Sequence, residues 1–125
     1  MAKKIYLILA LLISAIICIP SCTRNNVEQA AGTSPCDTTQ VSYRRDIQPI
    51  VENYCYPCHS NANIAFSNGV SLEGYDNLKG WSQAGYVLGD ITAQPGFTPM
   101  PYGKPKISAC AINKITAWIN QNFPN

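Results

Sequence analysis

A small, all-α, loop-rich fold is what this sequence predicts, and three observations carry it. Apolar residues recur at helical intervals in separate segments: Ile47, Ile50, Val51 and Tyr54; then Leu72, Tyr75, Leu78 and Trp81; then Ile112, Ile115, Ile119 and Phe123. No segment alternates apolar and polar residues over enough positions to make a half-buried strand. Between the second and third segments Pro95, Gly96, Pro99, Pro101, Gly103 and Pro105 forbid regular structure.

Taken in order, the first element of the chain is not part of that domain. Lys3 and Lys4 precede a 15-residue, mostly apolar run from Ile5 to Ile19, which Pro20 and Ser21 break just before Cys22. A membrane span needs about 17–25 residues, so residues 1–21 are expected to be a secretory signal peptide. A single-pass anchor is the alternative. Ile19-Pro20-Ser21-Cys22 resembles a bacterial lipobox, in which a small residue precedes a cysteine that is lipidated. Cys18 fits less well, because bulky Ile17 stands before it. The expectation is an exported lipoprotein held to a membrane surface at Cys22 by acyl chains, on the periplasmic or cell-surface side. Residues 22–35 then form a tether: "TRNNVEQAAGTSP" is polar, lacks an apolar face, and would reach roughly 20 Å. The folded domain is expected over residues 36–125. A core of that size gains from a covalent cofactor or a cross-link.

Within the domain, Asp46 is placed to cap a helix bearing Ile47, Ile50, Val51 and Tyr54, with Pro49 tolerated in its first turn. That helix runs straight into Cys55. The Leu72–Trp81 pattern follows, and Gly85 breaks it. A short helix over residues 86–93 precedes the proline-rich loop. Ser108 then caps a last helix carrying Ile112, Ile115, Ile119 and Phe123, with Trp118 beside that stripe.

Charge excludes one class of partner. Removing Lys3 and Lys4 with the signal leaves seven basic residues against seven acidic ones, and no basic run remains to track phosphates. Nucleic acid is not an expected partner.

The chemistry concentrates in Cys55-Tyr56-Pro57-Cys58-His59. Cys-x-x-Cys-His is the signature of covalent haem attachment. Two thiols one helical turn apart can each form a thioether to a haem vinyl group, while the adjacent imidazole reaches the iron. Two other chemistries use part of this pattern. Dithiol/disulfide cycling needs a βαβ setting, and none is visible. A zinc site would need four ligands, which Cys36, Cys55, Cys58 and Cys110 would supply, but it leaves His59 without a role. A low-spin iron also needs a second axial ligand. His59 is the only histidine, and Met100 is the only methionine beyond the signal. A lone methionine is often core filler, but this one lies in a proline-rich loop rather than on an apolar stripe, which favours the ligand reading.

"DIQPIVENYCYPCHS", "TPMPYG" and "INKITAWINQNF" together resemble the mono-haem class I cytochrome c family over nearly the whole domain. They look like its N-terminal helix with the attachment motif, its methionine loop and its C-terminal helix. The resemblance implies a small helical fold wrapped around one covalently bound haem c, with N- and C-terminal helices crossing. Carried over by position, Cys55 and Cys58 become the thioether sites, His59 the proximal iron ligand and Met100 the distal one. Cys36 and Cys110 are not required by the minimal family pattern. They form an even remainder once the other cysteines have roles, and crossing helices would bring them together, so a Cys36–Cys110 disulfide is expected.

Other residues carry two readings. Trp81, Tyr75 and Tyr102 would reach a propionate or serve as core, and the core reading leads. Lys104 and Lys106 would face an acidic redox partner or simply stand in solvent. Arg44 and Arg45 are candidates for a propionate. The expected function is one-electron transfer between redox partner proteins in an extracytoplasmic chain, with a potential raised by thioether ligation. No acid, base or nucleophile accompanies the motif. A peroxidase-like haem enzyme and a haem-based gas or redox sensor are the rival readings, and both need a labile sixth ligand.

Overall fold

The computed structural model describes residues 36–125; the expected signal 1–21, the tether 22–35 and Cys22 lie outside the described residues. Every regular element among the described residues is helical. A π-helical turn, Tyr43–Ile47, leads into α1, Gln48–Tyr54, and α2, Tyr56–His59, follows after a single residue. A 3-10 turn at Ile64–Ser67 precedes α3, Tyr75–Gln83, then α4, Tyr86–Thr92, and α5, Ala109–Asn120. None of these helices is long and apolar enough to cross a membrane.

The first helical segment differs from its expectation at its start. Asp46 lies inside the π-helical turn rather than capping α1, and its Oδ2 accepts the backbone N–H of Ser42 at 3.0 Å. The side chain therefore satisfies a donor at the beginning of the turn, from four residues further on. Pro49 falls in the first turn of α1, where its missing N–H costs nothing. Leu72 lies before α3 rather than on it, and Gly85, at φ 84°, separates α3 from α4 in a conformation that a side chain would strain.

Ser108 caps α5, its Oγ accepting the Ala111 N–H at 3.2 Å. The buried face of that helix is Ala111, Ile115 and Trp118, while Ile112 and Ile119 are half-buried. Phe123 lies beyond the helix end, at φ 60°, and folds back so that its ring meets Trp118 edge-on with centroids 5.0 Å apart. The indole, expected beside the isoleucine stripe, is fully buried and shares the core with Ile115.

The two ends of the domain pack together. Pro124 O accepts both the Tyr43 N–H at 2.8 Å and the Trp118 Nε1–H at 2.9 Å. Lys114 Nζ donates to Asp46 Oδ1 at 3.1 Å, joining α5 to the π-helical turn. Nearby, Cys36 and Cys110 are joined by a disulfide, with Cα atoms 5.6 Å apart. Ile47, Val51, Leu78, Ile115 and Trp118 fill the core between these elements.

Candidate functional site

Pro57 shapes the Cys-x-x-Cys-His motif. It lacks the N–H that would bond to Asn53, so the helix is interrupted at Cys55 and restarts as α2. Cys55 O then accepts both the Cys58 N–H at 3.1 Å and the His59 N–H at 2.8 Å. The motif is one tight helical turn. Cys55 is half-buried, Cys58 is exposed, and both are free thiols. Burial pushes the Cys55 thiol up to about 11, the opposite of the lowered thiol that dithiol/disulfide catalysis uses.

The imidazole is held from behind. His59 Nδ1 lies 3.1 Å from Val70 O, and a carbonyl only accepts, so Nδ1 is the donor, and in the neutral ring Nε2 keeps its lone pair. The backbone reinforces this, since Leu72 N–H donates to His59 O at 2.8 Å. Nothing in the residue types at 70 and 72 announces such a role. Any residue supplies a carbonyl, so the sequence carried no signal for it.

Met100 is half-buried in the loop between α4 and α5. Asp90 anchors that loop twice: its backbone oxygen accepts the Met100 N–H at 3.1 Å, and its Oδ1 accepts the Thr98 N–H at 3.0 Å. Phe97 lies flat against α4 at Gly89, where a Cβ would overlap its ring. Asp90, Gly89 and Phe97 thus position the methionine loop, and sequence reading missed all of them. Met100 shares no hydrogen bond with the motif, and each of the two parts is anchored on its own neighbours.

The weaker candidates divide. Tyr75 spends its hydroxyl on Phe123 O at 2.7 Å, and Trp81 stacks edge-on against Tyr86 with centroids 5.5 Å apart. Tyr102 is 78% exposed, and Lys104 and Lys106 are exposed. Arg45 pairs with Asp46 at 2.9 Å. Arg44 lines an open cavity of about 550 Å³ with Tyr43, Gln48, Glu52, Tyr56 and Glu73. That cavity contains none of Cys55, Cys58, His59 or Met100. Burial, followed by a bond to the Tyr56 phenol, holds the Tyr43 hydroxyl above its ordinary range.

A four-sulfur zinc site is not formed. Cys36 and Cys110 spend their sulfurs on each other, and no cluster of three or more His, Cys, Asp or Glu side chains suited to a metal ion occurs among the described residues. The remaining donor set suits haem c: two free thiols one turn apart, an imidazole with Nε2 available, and a thioether elsewhere in the fold.

No family model and no solved structure matches the chain. Among curated proteins it is similar to the hydrazine synthase subunit alpha of Kuenenia stuttgartiensis, 34% identical over 79 residues. Those residues are 62% of this chain and 10% of that protein, so the chain spans about a tenth of the length of the curated relative it matches.

Proposed function

We propose that residues 36–125 bind one haem c through Cys55 and Cys58, with His59 and Met100 as axial ligands, and act as a one-electron carrier of the class I cytochrome c type. The observation that carries this reading is the His59–Val70 bond beside two unpaired thiols. It sets the tautomer an iron ligand requires, at the position the motif assigns to that ligand. Cys55 and Cys58 would hold the macrocycle, and Met100 would complete the coordination. The haem would supply the ferric/ferrous couple, while the polypeptide orients the imidazole, stiffens the methionine loop and limits water. The large hydrophobics left most exposed, Phe66, Tyr102 and Tyr86, stand on segments next to the two ligands in the chain or next to Trp81. A flat apolar cofactor would give them something to cover.

Protein matured with a cytochrome c assembly system should give a pyridine haemochrome spectrum of the two-thioether type. It should also keep its haem stain on a denaturing gel. Haem extracted by acid-acetone would overturn the assignment. We further propose export and anchoring through Cys22: Cys22→Ala should abolish fatty-acid labelling and leave the haem spectrum unchanged.

A second reading follows from the similarity to an enzyme subunit. The stretch in common is close to the size of the folded domain, so a domain of this kind would serve within a larger enzyme, with its haem at the reacting centre. Carbon monoxide separates the two. A carrier with both axial positions filled does not bind it in the reduced state, whereas a haem at a reacting centre does.

A further inference from the structure

The segment from Ser67 to Gly74 is bonded at several points to the motif and to Asn61 just past it. Besides the His59–Val70 and Leu72–His59 bonds, Asn61 N–H donates to Glu73 Oε2 at 2.7 Å. Ser71 Oγ–H donates to Asn61 Oδ1 at 2.7 Å, and Gly74 N–H donates to Tyr56 Oη at 3.2 Å. The Val70 carbonyl is also shared. Ser67 Oγ lies 2.6 Å from Val70 O and 3.0 Å from Ile64 O, so its single proton serves one of them at a time.

We propose that this strap tunes the iron through His59, with Ser67 and Glu73 as positioning residues that act in opposite directions on the His59–Val70 bond. The proposal rests on the haem reading above.

The physical chain is short. An imidazole that donates strongly from Nδ1 is a more basic ligand at Nε2, and a more basic ligand stabilises ferric over ferrous iron. Ser67 donates to the same carbonyl and draws on the electron density that His59 would use. Removing its hydroxyl strengthens the histidine bond and lowers the potential. Glu73 does the reverse job. Its carboxylate ties the strap to Asn61, just past the motif, and keeps Val70 O within reach of the ring. Without it the carbonyl drifts, the ring donates less, and the potential rises.

The test is spectroelectrochemical titration of the haem-bearing protein and three variants. Ser67→Ala should raise the ferric-to-ferrous ratio at fixed potential about threefold, a fall of ~28 mV from 59 mV per tenfold change. Ser67→Thr keeps the hydroxyl and should match the wild type. Glu73→Ala should lower that ratio about threefold. A strap with a merely structural role predicts something different, because loosening admits water, which favours ferric iron and lowers the potential in both alanine variants. Two lowered potentials, or two unchanged ones, would overturn the proposal while leaving the carrier reading intact. A wild type without covalent haem would overturn both. Should Glu73→Ala fail to mature, Glu73→Gln takes its place: a raised potential beside a lowered one in Ser67→Ala supports the strap, and a lowered or unchanged one rejects it.

Discussion

Met100 shows how much a single residue decides in the proposed carrier. A neutral thioether favours ferrous iron, and with His59 the only histidine no second imidazole in the chain can replace it. Met100→Ala should lower the potential by more than the ~59 mV of a tenfold shift in the couple. It should also abolish the near-infrared sulfur-to-iron band and open the reduced protein to carbon monoxide. An unchanged band would remove Met100 from the coordination sphere. Met100 stands out in the sequence because its type is rare and its proline setting unusual. Asp90, which holds the loop by a backbone oxygen and a carboxylate, was not legible, since an exposed-looking aspartate on a short helix has many uses.

At the scale of elements, Asp46 joins the π-helical turn to α5. Burial works to raise its carboxyl, and the Ser42 N–H, Lys114 and Arg45 together outweigh that and hold it below its ordinary value. The sign follows directly. A depressed carboxyl stabilises the fold above the unfolded value of about 3.9, and that contribution is lost as pH falls through the lower, folded value. Asp46→Asn should cost about 1–2 kcal/mol at neutral pH by weakening charge-assisted bonds. Its stability should then fall less steeply than the wild type's below about pH 4. Denaturant midpoints measured between pH 2 and pH 7 give the comparison; parallel curves would assign the acid limb to other carboxylates, Asp37 among them. The sequence pointed to Asp46 as a cap. The structure uses it as a bridge, because a helix that begins with a wider turn moves the capping position back to Ser42.

For the whole molecule, the Cys36–Cys110 disulfide closes a span of 74 residues, nearly the entire described domain. Releasing such a loop should cost about 4 kcal/mol in the chain-entropy model. Reducing it under native conditions should shift the denaturant midpoint down accordingly and leave the haem spectrum in place, because Cys55 and Cys58 are separate from it. Equal midpoints with and without reductant would mean the unfolded chain gains nothing from release. The two ends of the described domain are also joined without it, where Pro124 O serves Tyr43 and Trp118 together.

The helical class, the order of the helices, the Ser108 cap and the Cys-x-x-Cys-His turn were determined by sequence alone. Each depends on residues within a few positions of one another, so periodicity, a capping hydroxyl and motif spacing report them directly. Tertiary structure decided the rest. Trp118 is buried together with Ile115 while Ile112 and Ile119 are only half-buried, since a core is filled by volume from several elements at once. The strap from Ser67 to Gly74 finds His59 through a carbonyl and amides that every residue carries, and only the path of the folded backbone brings those common groups to that imidazole.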